Sequence, residues 1–116
     1  MLEWIDYQGR RIVRMDVHNM SIEQYVKEIE AAAQFVLDAK PSPGSVLLLV
    51  CGVQPRGHLE AASAAWRAFQ QRVQGLMRAQ AVVGLTSFMR VVARLVVRDL
   101  YFASSEEDGK NWLLRQ

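Results

Sequence analysis

The sequence predicts an α/β fold: one domain in which an N-terminal antiparallel hairpin is followed by parallel β-α units, in the order ββαβαβαβα. Three observations predict it. Two strand-like runs, 2–7 and 10–17, flank Gln8-Gly9, a spacing that closes a hairpin. Beyond them, short apolar runs alternate with stretches of helical period. The run Val46-Leu47-Leu48-Leu49-Val50 is apolar without alternation, the pattern of a parallel strand covered on both faces.

Each element has its own local signal. Trp4, Ile5 and Tyr7 mark the first strand, and Ile12, Val13, Met15 and Val17 the second. Ser21 is a helix cap with Gln24 at the capping-box position, and Met20 with Tyr25 suits a hydrophobic staple. Ile22, Tyr25, Val26, Ile29, Ala33, Val36 and Leu37 then recur at helical spacing, so one face of that helix is buried. Pro41-Ser42-Pro43-Gly44 ends it. After the apolar strand to Cys51, a loop from Gly52 to Gly57 leads to a helix expected from His58 to about Arg78. Its stripe is Ala62, Trp66, Phe69, Val73 and Leu76, and Ala61, Ala64, Ala65 and Ala68 widen the packing surface. A strand at 81–83, a helix from Thr86 to about Arg98 and a last strand at 101–103 follow. Ser104 or Ser105 caps a final helix, with Glu106, Glu107 and Asp108 at its positive end. Trp112 and Leu113 pin that helix to the sheet. Right-handed crossovers make the later strands mostly parallel and leave the first strand antiparallel at an edge.

Composition narrows the function classes. The 116 residues are 51% hydrophobic and 22% charged, enough for a globular core without disulfides or metals. A net charge of +2 gives no reason to expect nucleic acid as a partner. One cysteine excludes an internal disulfide framework and fits a reducing cytoplasm. The opening Met-Leu-Glu-Trp-Ile-Asp carries acids where a signal peptide needs positive charge, and no apolar run has membrane-spanning length. The expected location is therefore cytoplasmic.

Several segments match a known pattern. They are Tyr7-Gln8-Gly9-Arg10-Arg11-Ile12 with Met15-Asp16-Val17, then 45–50, then Ala79-Gln80-Ala81-Val82-Val83-Gly84-Leu85-Thr86, and the closing Trp112-Leu113. In this order and spacing the chain resembles the bacterial STAS-like domains related to the anti-sigma-factor antagonist SpoIIAA, the group also described as STAS/SEC14-like. The resemblance spans 1–116. It implies a mixed sheet packed by helices and a regulatory or ligand-sensing role rather than catalysis. It also implies a phosphorylatable Ser where the helix after the central strand begins. Here that stretch, 51–58, holds no Ser or Thr, and Ser63 lies inside the helix. The phosphoserine switch is therefore not expected at its usual place.

The candidate chemistry is sparse. Cys51 at a strand end and His58 at a helix start are the residue types of a thiolate and its base; the simpler reading of a lone Cys is a small buried hydrophobe. His18, Cys51 and His58 have no zinc-site spacing, so no metal is expected. No glycine-rich phosphate cradle is present, so no nucleotide cofactor is expected. Gly52 and Gly57 flank a loop whose amides, with Arg56, suit an anion, or else simply relieve turn strain. In the helix after Gly84, Phe88, Val91, Val92, Leu95 and Val96 are expected to form the buried face. Arg90, Arg94 and Arg98 fall four residues apart as a positive ridge, either solvated or facing an acidic partner or lipid headgroup. Met89, Ala93 and Val97 lie between, as a partner surface or the wall of an apolar pocket.

The expected binding surface is thus Gly84, Leu85, Thr86, Ser87, Met89, Arg90, Arg94, Val97 and Arg98, with Gly52, Arg56 and His58 beside them. Loops at the C-terminal ends of parallel strands are where such sheets meet ligands. The expected function is non-catalytic binding of a regulatory protein, a second copy of the chain or a small ligand. The alternatives are a SEC14-like carrier of a lipid or small hydrophobe, with Phe88, Met89 and Trp66 as its lining, and a small enzyme using Cys51 and His58.

Overall fold

The computed structural model describes residues 1–52, 54–97 and 99–116, with the side chains of Ser87 and Phe88 outside the description. Its order is β1 (Leu2–Tyr7), β2 (Arg10–Asp16), α1 (Ile22–Asp38), β3 (Val46–Cys51), α2 (Leu59–Arg72), β4 (Met77–Val83), α3 (Ser87–Val96), β5 (Tyr101–Ala103) and α4 (Glu106–Leu114). This is the expected α/β architecture. The five strands form one sheet in the order β1-β2-β3-β4-β5. β1 pairs antiparallel with β2, from Leu2 opposite Met15 to Tyr7 opposite Arg10. The pairs β2-β3, β3-β4 and β4-β5 are parallel.

Strand order that follows chain order has a consequence. Right-handed crossovers then carry α1, α2 and α3 to the same face of the sheet. Alternate strand residues show it. Val13, Met15, Leu48, Val50 and Val82 pack with Tyr25, Ile29, Val36, Ala62 and Phe69 of α1 and α2. Ile12, Leu47, Leu49, Cys51 and Ala81 pack on the other face with Leu113 of α4. β3 is buried at all six positions, as an apolar run without alternation requires.

Local signals set the boundaries. The Ser21 hydroxyl accepts from the Gln24 amide and the Gln24 side chain accepts from the Ser21 amide, a complete capping box. Ser105 is the cap that starts α4. Gly109 lets α4 lie close on the sheet: a Cβ there would stand 2.6 Å from Leu49 Cδ1. Two sequence expectations change. α2 ends at Arg72 rather than near Arg78, because Gly75 turns the chain with φ +84° and β4 begins at Met77. Ala61, Ala64 and Ala68 face solvent instead of widening the packing surface. Among the described residues no helix is long and apolar enough to cross a membrane.

Candidate functional site: an apolar cleft beneath α3

A helix that packs fully against a sheet buries a stripe of side chains. α1, α2 and α4 each do so, with Ile29, Phe69 and Leu113 among their buried residues. In α3 no described residue is fully buried. Thr86 caps it, its hydroxyl accepting from the Met89 amide at 3.3 Å. Met89, Val92, Ala93 and Val96 then turn inward at i, i+3, i+4 and i+7. They stop short of the sheet and leave a cleft of about 60 Å³.

The cleft draws on every layer of that side of the sheet. Its floor is Val50 and Val82, its far wall Tyr25, Ser63 and Trp66, and its near wall α3 with Val97 and Leu100. Gly52, Gln54 and Leu85 stand at the strand ends. Gly52 is held at φ +121°, with no room for a side chain against the His18 and Val17 backbone. Two polar pairs stiffen the lining. The Trp66 indole N–H donates to the Tyr25 hydroxyl at 2.9 Å. Burial raises the Tyr25 pKa, with the Trp66 hydrogen bond partly opposing the shift. Gln80 of β4 is 8% exposed. It exchanges two hydrogen bonds with Gln70 of α2, at 2.9 and 3.1 Å. Among the described residues of the lining, Tyr25 alone has a titratable side chain.

Of the residues expected at the surface, Gly52, Leu85, Met89 and Val97 line the cleft. Gly84 makes the turn into α3 at φ +95°. Arg56 and His58 are exposed before α2 and are not part of the cleft lining. Arg98 lies outside the described residues, as does the side chain of Ser87. The Phe88 side chain, expected among the buried face and the pocket lining, lies there too. Arg90 and Arg94 are exposed, as expected of a solvated ridge, and also cover an aromatic ring. Their guanidinium carbons lie 5.4 and 4.8 Å from the Phe102 ring centre, over the last strand. The expected buried face of α3 is rotated: Val91 and Leu95 point outward, 67% and 76% exposed. Tyr25, Gln80 and Leu100 join the site without having been singled out for it. A glutamine inside an apolar strand was the one visible signal, because a buried amide needs a partner.

The strand order also relocates the site within the fold. Ligand crevices in open α/β sheets form where the strand order reverses and adjacent helices leave to opposite faces. Here the order never reverses. The cleft lies instead between two helices on one face.

Cys51 belongs to the opposite side. It is 2% exposed beneath α4, and burial pushes its thiol up to about 11. At neutral pH it is a protonated thiol. His58 is exposed at the start of α2, on the other face. Near Cys51, Arg14 and Glu106 form a two-bonded ion pair at 2.5 and 3.2 Å. The hydrogen bond from Arg14 holds the Glu106 carboxyl below its ordinary pKa, and Glu106 raises that of Arg14. His18 pairs with Asp16, whose pKa is lowered by the His18 amide and ring. Among the described residues no three His, Cys, Asp or Glu side chains come together as a metal site.

Comparison of the chain with family models, curated proteins and solved structures finds no match.

Proposed function

We propose that this chain is a non-catalytic binding protein that holds a small apolar ligand between α2, α3 and the sheet. The observation that carries the reading is the unfilled apolar space under the one helix that buries no described residue completely. Close-packed interiors do not leave such space without cost, because its lining forfeits dispersion contacts. The STAS-like resemblance gives the reading its regulatory frame: ligand occupancy would alter how α3 sits, and α3 would present that change to a partner. The order of elements is what such a domain would have, and any sheet of this connectivity would share it. The size of the cleft favours a small ligand over a whole lipid. A buried, protonated Cys51 on the face opposite His58 favours binding over thiol chemistry.

The test is methyl NMR of the purified chain, following Met89 and Ala93 during titration with a panel of short-chain organic compounds, beside native mass spectrometry of the protein as isolated. Saturable shifts at both methyls are expected. Shifts confined to other surfaces, or none, refute the reading.

The exposure of Val91 and Leu95 favours a second reading for the outer side of α3, contact with another protein, a second copy of the chain included. Sedimentation of the wild type against Leu95→Glu tests it. A monomer in both, with no partner retained, removes it.

A further inference from the structure

We propose that the cleft selects an uncharged short-chain amphiphile, an alkanol or a primary amide. Its apolar end lies under α3 and its hydrogen-bonding end meets the Gln80 amide. The inference rests on the reading of the cleft as a ligand site and adds the ligand's class.

Three observations point to that class. The first is charge. Among the described residues no acidic or basic side chain lines the cleft, and the one titratable group there, the Tyr25 hydroxyl, already accepts from Trp66 and stays protonated at neutral pH. A carboxylate or ammonium would lose water there and meet no counter-charge. The second is the amide pair. Gln80 is buried, yet its side chain reaches the cleft lining. A primary amide has two N–H donors and two acceptor lone pairs. The exchange with Gln70 uses one of each, so one donor and one acceptor remain for a ligand. Turning both amides over together leaves the same reciprocal pair, with one donor and one acceptor still free on Gln80. The two remaining groups point to opposite sides of the Gln80 amide, so a ligand meets one of them: a hydroxyl or a primary amide suits either, whereas an ether or ketone suits only the donor. The third is size. About 60 Å³ is less than the roughly 150 Å³ that admits benzene in an engineered apolar cavity. The cleft therefore takes the end of a chain, with the remainder leaving through its mouth.

The experiment uses two probes of equal chain length, hexanol and hexanoate, titrated at pH 7.5 into the full chain. Methyl shifts at Met89 and Ala93 report the site. Hexanol is expected to bind at least tenfold more tightly, because the anion has no counter-charge in the cleft. A double variant, Gln70→Met with Gln80→Met, removes both amides so that neither is orphaned. It is expected to lower hexanol affinity about tenfold, in line with the loss of a buried hydrogen bond. Equal or tighter binding of hexanoate, or unchanged hexanol binding in a folded double variant, overturns the proposed class while leaving the cleft a binding site. If neither probe moves those methyls, the ligand-site reading itself fails and this inference with it. The comparison of the two probes on the unaltered chain does not depend on any variant folding.

Discussion

Replacing Ala93 by Leu puts the cleft to a thermodynamic test. Ala93 points into the space beneath α3. Closing a cavity recovers about 24 cal/mol per Å³, so filling all 60 Å³ is worth about 1.4 kcal/mol. Ordering a leucine side chain costs about 0.5–1 kcal/mol of rotamer entropy. Alanine and leucine differ little in helix propensity. The net expectation is stabilisation by about 0.4–0.9 kcal/mol, together with loss of probe binding. With a urea m-value of about 1–3 kcal/mol per M, the unfolding midpoint rises by a few tenths of a molar.

The same substitution at Ala33 provides the contrast. Ala33 has no exposure and packs in the core between α1 and the sheet. Added methylenes there overpack, at about 1–3 kcal/mol. Two Ala→Leu changes on helices of one face are therefore expected to move the midpoint in opposite directions. A fall at Ala93 comparable to that at Ala33 refutes the reasoning, since it means α3 is already packed to the density of the core.

Three further outcomes are expected. Gly109→Ala gains about 1 kcal/mol of helix propensity but drives a Cβ to 2.6 Å from Leu49 Cδ1, a side chain with no room to retreat; it should destabilise, and in a Leu49→Ala background the same change should stabilise, as read by denaturant midpoints. The Glu106 carboxyl is held below its ordinary pKa by Arg14, so its contribution is present above the ordinary value of 4.5 and is lost as pH falls through the folded value; Glu106→Gln should lower the unfolding midpoint above pH 4.5 and flatten the acid side of its plot against pH. Cys51, pushed up to about 11 and buried, should react with a thiol reagent at pH 8 at least about a hundredfold more slowly than a free thiol, and denaturant should abolish the difference; rapid labelling of the native protein contradicts its placement beneath α4.

What the sequence made legible were features whose signals are local. The turn at Gln8-Gly9, the Ser21–Gln24 capping box and the acidic start of α4 each depend on residues within a few positions of one another. The end of α2 was harder, because Leu76 and Met77 continue an apolar spacing that a helix or a strand can carry. Gly75, at φ +84°, was the residue that decided it. The face of α3 was not legible. Met89, Val91, Val92, Ala93, Leu95, Val96 and Val97 surround Arg90 and Arg94, so periodicity alone allows more than one buried stripe. Which stripe turns inward depends on where α2 and Phe102 stand. The cleft was illegible for the same reason: Tyr25, Trp66 and Gln80 come from three elements and meet only through the fold.

The position of the cleft follows from the connectivity. With strands in chain order and three helices on one face, each helix sits over the pair of strands it joins. α1 and α2 lie over long strands, and the β3 side chains beneath them are fully buried. α3 joins β4 to β5, and β5 has only three residues. Of these, Phe102 packs with the helix-face core, whereas Tyr101 packs on the opposite side. One ring cannot fill the volume that a full strand would. Arg90 and Arg94 spread over Phe102, covering that ring without adding apolar volume beneath α3. What remains open lies between α3, Val82, Trp66 and Gln80. A longer last strand would have given α3 a floor to bury against, and the molecule would have a core where it now has a cleft.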